Sequence, residues 1–220
     1  MLKVKENKIK SFITKNKYII IVISILTLGL ISALLVWQLQ NMNTGTLRYS
    51  DGISEVDETP VSQSEIDSYK VAADKPRLLI INNIDVRARI FPVGLTPENA
   101  IETANGIYDT GWYVGSAVPG QKGAAFIDGH VSGPNNKGVF TDLNKLKQGD
   151  EIIVEMGDGK INTFIVQKTE ELALDKVDMA NVLKPIDQDK PGLNLMTCSG
   201  KYDKSNDTFT NRLTVYSSMK

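Results

Sequence analysis

Arg77-Leu78-Leu79-Ile80-Ile81-Asn82-Asn83-Ile84-Asp85-Val86-Arg87-Ala88-Arg89-Ile90 decides the fold class of this chain. The run Arg77 to Ile81 reads as a buried strand, apolar throughout and too short for a helix. Beyond the asparagine pair, Ile84, Val86, Ala88 and Ile90 alternate with Asp85, Arg87 and Arg89, the period-two pattern of a strand with one wet face. Downstream, Glu151 to Met156 and Lys160 to Lys168 flank Gly157-Asp158-Gly159, the clearest hairpin signal in the chain. Short helices are expected at Thr96 to Ile101, where a capping residue precedes a proline, over Gly138 to Leu146, and over Asp175 to Leu183. Many short strands, few helices and Gly-rich turns predict a mainly β domain over residues 76–220, either a sandwich or a closed antiparallel barrel. No internal repeat is visible.

The whole chain has 220 residues, 23% charged and 41% hydrophobic, room for one globular domain with extensions. Its net charge of −1 conceals a division: six lysines stand against Glu6 in the first 17 residues, so the remainder is acidic. A short basic cluster beside an apolar segment is a topology signal, and no basic stripe with interleaved aromatics occurs elsewhere, so nucleic acid is set aside as a partner. Tyr18 to Trp37 carries no charge and has the length of a bilayer-crossing helix. It is longer than the apolar core of a secretory leader and lacks a small-x-small cleavage site, which favours an uncleaved anchor. The expected organisation is therefore a cytoplasmic basic tail (1–17), a transmembrane signal anchor (18–38), a linker (39–75) and an extracellular domain (76–220). Three cations against seven acids and few core-forming residues make the linker polar and disordered by expectation, with room for a short helix around Ser64 to Ala73.

The domain holds the only cysteine and the only histidine of the chain. Cys198 ends the apolar run Leu193-Asn194-Leu195-Met196-Thr197, and Arg212 opens the next run after a polar loop. A β-hairpin would make thiol and guanidinium neighbours. His130 closes a third run, Ala124 to Gly129. A lone cysteine excludes an intrachain disulfide and a Cys-rich zinc site, leaving a buried inert thiol, an intermolecular disulfide or a nucleophile. Singly, His130 reads as a surface histidine and Arg212 as a solvated charge. Brought together, a thiol, an imidazole and a guanidinium have the chemistry of a nucleophile, a proton carrier and an oxyanion donor. A papain-like arrangement fails, because there the cysteine precedes the histidine.

Thr197-Cys198 after an apolar strand, Gly129-His130 after an earlier one and Arg212 at the following strand resemble the active-site pattern of the sortases, bacterial cysteine transpeptidases. The resemblance covers about residues 76–220, and Thr110-Gly111-Trp112-Tyr113 with Pro119-Gly120 look most like the class F branch. It implies an eight-stranded β-barrel with short helices, preceded here by one N-terminal transmembrane helix. It also implies Cys198, His130 and Arg212 as catalytic residues and Thr197 as a substrate-binding residue. The implied reaction cleaves a C-terminal sorting signal of the Leu-Pro-x-Thr-Gly type through a Cys thioester and transfers the acyl group to an amine, on a peptidoglycan precursor by expectation. The partners are sorting-signal peptides, that amine and the lipid membrane. Pilus-building sortases often carry a lid with an Asp-Pro-aromatic motif in the region of the linker, and this chain has none, which argues against pilin polymerisation. No cofactor is expected. Some sortases bind calcium near Glu170 and Glu171, but two adjacent acids read better as a solvated turn, so no metal is assigned. Asp128 would share the strand face of His130, and reads equally as an exposed strand carboxylate. The rivals are a membrane-tethered domain that binds peptide without turnover and a cysteine hydrolase without an amine acceptor.

Overall fold

The computed structural model describes residues 56–97 and 99–220, with Thr27, Gly29 and Ser32. The basic tail, almost all of the expected anchor and the first part of the linker lie outside the described residues. Among the described residues no helix is long and apolar enough to cross a membrane. The compact unit that carries the site spans Ser54–Lys220.

Eight strands close into a barrel in the order β1-β2-β3-β4-β7-β8-β6-β5. These are β1 (Pro76–Ile81), β2 (Val86–Val93), β3 (Thr110–Tyr113), β4 (Ala124–Gly129), β5 (Glu151–Met156), β6 (Ile161–Ala173), β7 (Gly192–Asp203) and β8 (Thr208–Met219). The alternation seen in the sequence points inward as expected: Val86, Ala88 and Ile90 of β2, and Ile152, Val154 and Met156 of β5, are buried. They meet Leu79, Ile81, Phe140 and Phe164 in one apolar core. Closure leaves no free sheet edge. Two neighbouring pairs run parallel, β2 with β3 and β4 with β7. The barrel is therefore mixed, because the chain crosses over between those strands rather than turning back in a hairpin.

Helix is sparse, and its placement differs from expectation in two segments. Thr96 to Ile101 is a tight turn: Thr96 N donates to Ala100 O at 2.8 Å, opposite to the helical direction, and Leu95 bridges Ile101. Asn99 sits at φ 61°, which stops any helical run there. The expected Asp175 to Leu183 helix resolves into a 3₁₀ turn (Leu174–Lys176) and a short α-helix (Met179–Val182), the latter capped by Asp178, which accepts from Ala180 N at 2.9 Å. Gly138 to Leu146 contributes a 3₁₀ turn at Leu143–Lys145.

Residues 56–75 are not a disordered tether. Helix α1 (Gln63–Ser68) starts with a capping box between Ser62 and Glu65 and buries Ile66; the Met179–Val182 helix is α2. Arg77 donates to the carbonyls of Tyr69, Ile66 and Asp67 and pairs with Glu155 at 2.6 Å, while the Tyr69 hydroxyl donates to Ile90 O. Composition misled here because one buried isoleucine, one tyrosine and one multiply bonded arginine suffice to dock a polar strap on a barrel already formed.

Candidate active site

β4, β7 and β8 carry the site side by side. Cys198 pairs directly with Arg212 across the β7–β8 hairpin, as the loop between the two runs suggested. Neither residue sits at a strand end, however. The hairpin runs on to Asp203 and Thr208, with a register shift between Ser199 and Tyr202, because the polar loop keeps strand geometry until the turn. Gly200 sits at the shift with φ 79°, a conformation side chains disfavour. The β4–β7 register, Asp128 opposite Met196, continued by two residues brings His130 level with Cys198.

A cleft of about 410 Å³ is lined by Asp128, His130, Thr197, Cys198 and Arg212 at its polar end. Its apolar end is lined by Ile101, Tyr113, Phe126, Met179, Leu183 and Met196. Phe126, Met196 and Val182 are buried together beneath it, forming a second small core that joins β4, β7 and α2. The cleft thus offers a reactive polar end and an apolar trough, the form of a peptide groove with its chemistry at one end.

His130 is half-buried, and its Nε2 lies 2.8 Å from Ala104 O. A carbonyl only accepts, so Nε2 carries the proton and Nδ1 is the free basic nitrogen. Burial pushes the imidazole below its ordinary value, and the bond to Ala104 partly opposes that. Burial pushes the Cys198 thiol up; the Arg212 guanidinium works against this and Asp128 adds to it. The resting cleft at neutral pH therefore holds a neutral thiol beside a neutral imidazole. Arg212 is pinned by its own strand: Nη1 donates to Phe209 O and Asn211 O, at 3.1 and 3.0 Å, and Nη2 to Thr208 Oγ1 at 3.1 Å. Nε–H and one Nη2–H stay available for a substrate oxygen. Thr197 is buried, and its hydroxyl donates to Gly129 O at 2.8 Å, tying the cysteine's strand to the residue before His130.

Asp128 proves to be part of the cleft. Its Oδ2 accepts from Thr103 Oγ1 at 2.7 Å, while its Oδ1 is buried without a partner. Burial raises the carboxyl to about 7, against the lowering effect of the Thr103 bond. The period-two relation to His130 was the available sequence signal; Thr103 and Ala104, on the β2–β3 loop, had none. Glu170 and Glu171 lie within β6 rather than in a turn, where Glu170 meets Lys168 and Tyr216, and Glu171 meets Asn211. Among the described residues no group of three acids, histidines or cysteines could hold a metal.

The strap meets this site from outside. Asp57 N donates to Asn105 O and Ile107 N to Asp57 O, at 3.0 and 2.9 Å. Glu58 accepts from the backbone and side-chain nitrogens of both Asn135 and Asn136. The strap therefore ties down the loops on both sides of His130.

A sequence model described as the Sortase domain matches residues 79–220. No curated protein sequence matches the chain. Among solved structures, sortase A from Corynebacterium diphtheriae superimposes with a TM-score of 0.52 at 20% identity, covering 74% of this chain and 72% of that one. The pilus-related sortase C of Group B Streptococcus gives 0.51 at 19% identity over 74% and 75% of the two chains. A lid mutant of Streptococcus agalactiae sortase C1 gives 0.50 at 22% identity over 73% and 76%. At such identities the structural likeness speaks to the fold, the sortase barrel.

Proposed function

The chain belongs to the sortase family of cysteine transpeptidases, and on that premise we propose that it cleaves a sorting-signal peptide of the Leu-Pro-x-Thr-Gly type and transfers the acyl part to an amine. The observation that carries this reading is the meeting of Cys198, His130 and Arg212 at the polar end of one peptide-shaped cleft, with Cys198 directly opposite Arg212. Nδ1 of His130 takes the Cys198 proton, and the thiolate attacks the threonyl carbonyl carbon; the C–S bond forms as the carbonyl π bond opens to an oxyanion. The free donors of Arg212 stabilise that oxygen, since a guanidinium cannot serve as a base. As the C–N bond breaks and the carbonyl re-forms, the imidazolium gives its Nδ1 proton to the departing amine. The incoming amine then attacks the thioester and yields its proton to Nδ1 of His130; a new C–N bond forms as the C–S bond breaks, and the departing thiolate takes that proton back to restore the resting pair.

The acceptor is an amine on a cell-wall precursor, and Tyr18 to Trp37 anchors the enzyme with residues 39–220 outside, beside both membrane-held substrates. Six lysines ahead of that apolar run support the orientation. Protease added to intact spheroplasts should digest the C-terminal domain, and full protection of it would overturn the topology. Within the family, Thr110-Gly111-Trp112-Tyr113 and Pro119-Gly120 support a place in class F, which a signal preference outside the Leu-Pro-x-Thr-Gly pattern would count against.

The function is tested with the full chain in detergent micelles, a library of sorting-signal peptides and an added amine, with products read by mass spectrometry. A new amide to the amine is expected, absent in Cys198→Ala. Carboxylic acid alone would make the protein a hydrolase, and intact peptide a binding domain.

A further inference from the structure

Three successive residues of the β2–β3 loop are each held from a different side. Thr103 donates to Asp128, Ala104 accepts from His130, and Asn105 accepts from Asp57 of the strap. The Asp128 bond comes with two features the barrel does not need. Oδ1 of the same carboxyl is buried with no partner. β3 makes room for it with Gly111: a Cβ there would stand 2.7 Å from Oδ1, 3.0 Å from Val93 Cγ1 and 3.2 Å from Ala104 N. A buried polar atom left unpaired is unfavourable, and an apolar side chain at position 128 would satisfy the fold without it.

We propose that Asp128 is a positioning residue for the transfer reaction: by holding Thr103 it sets the adjoining Ala104 carbonyl against His130, fixing the imidazole as the Nε2–H tautomer with Nδ1 turned to the chemistry. The inference rests on the transpeptidase reading above. A neutral imidazole exchanges its proton between two nitrogens, and only one arrangement leaves the correct nitrogen to take and return a proton; the partner of the other nitrogen decides which. Here that partner is a backbone carbonyl on a loop, and a loop carbonyl is only as well placed as the loop. Asp128 supplies the side-chain bond one residue away. The other titratable groups facing the cleft are Tyr113 on β3, His130 directly after β4, Cys198 on β7 and Arg212 on β8. Glu102 of the loop instead turns its carboxylate to Gly94 N.

The single histidine makes the test direct, because ¹⁵N-histidine labelling of the full chain in micelles reports His130 alone. The wild-type protein should show a protonated Nε2 and an unprotonated Nδ1. Asp128→Ala should mix the tautomers and lower kcat ten- to a hundredfold, as expected for a misplaced catalytic group, with KM little changed. Asp128→Asn keeps an acceptor for Thr103 and should retain the tautomer and most of the rate. Thr103→Val, on the exposed side of the same bond, should reproduce the alanine result, and it decides the matter if Asp128→Ala does not fold. Unchanged nitrogen signals in both Asp128→Ala and Thr103→Val would overturn the proposal, as would a loss of rate that only follows loss of folded protein. The nitrogen signals need no turnover, so they stand apart from a failure of the transpeptidase reading, which would appear as intact peptide with the wild-type protein.

Discussion

At the scale of single residues, Arg212 separates a working group from a bystander most sharply. Its guanidinium is oriented by Phe209, Asn211 and Thr208 before any substrate arrives, so the free donors are preorganised. Arg212→Ala should cost transition-state stabilisation on the order of 3 kcal/mol, or a hundredfold or more in kcat/KM. Arg212→Lys keeps the charge but loses the planar fork, and should recover only part of the rate. Steady-state kinetics with circular dichroism as the folding control decides; rates within about twofold for both variants would remove Arg212 from the chemistry. Asp128 carries a different signature, in stability. Its carboxyl titrates at about 7 in the folded chain against an ordinary value of 3.8. The folded state therefore holds that proton more tightly, a contribution fully present below the ordinary value and lost as pH rises through about 7. Asp128→Asn removes the titration, so its melting temperature should exceed that of the wild-type protein above about pH 7, the advantage shrinking toward about pH 4. Equal melting curves at both pH values would mean that the carboxyl is not buried as a charge-averse group.

At the scale of elements, the strands were legible and the connections were not. Period-two alternation in β2 and the Gly157-Asp158-Gly159 turn between β5 and β6 are local patterns, so the sequence alone revealed them. The meeting of Cys198 with Arg212 was legible for the same reason, two runs joined by one loop. The meeting of His130 with Cys198 was legible only through the family resemblance, because β4 and β7 pair in parallel from distant parts of the chain. The contacts that position His130 were hidden, since a backbone carbonyl such as Ala104 O has no residue type to betray it. The strap was hidden too, behind a composition that reads as disorder. Its contribution can be measured: Glu58 gathers four hydrogen bonds from Asn135 and Asn136, and those donors lose their partner in Glu58→Ala. Hydrogen exchange at the Asn135 and Asn136 amides should accelerate, and a lower kcat should accompany it as the loop after His130 loosens. Unchanged exchange would show that the strap merely rests on the barrel.

For the whole molecule, the strand order has a consequence in time. Taking β7 and β8 out of the closed order leaves the row β6-β5-β1-β2-β3-β4, with β6 and β4 at its two ends. The C-terminal hairpin is the piece inserted between those ends. Within the barrel, the hairpin that bears Cys198 and Arg212 is synthesised after the other six strands. Until then β4 and the long β6 present unpaired backbone, the state most open to wrong pairing with another chain. A chain stopped at residue 207 keeps Cys198 but lacks β8; its thiol should react with iodoacetamide faster than in the full chain while no peptide is cleaved, and slow labelling would contradict the assembly order. A nascent transpeptidase of this topology is born inert. The thiol arrives on β7 ahead of Arg212 on β8, so transfer becomes possible only when the second strand of the hairpin completes both the pair and the wall around it.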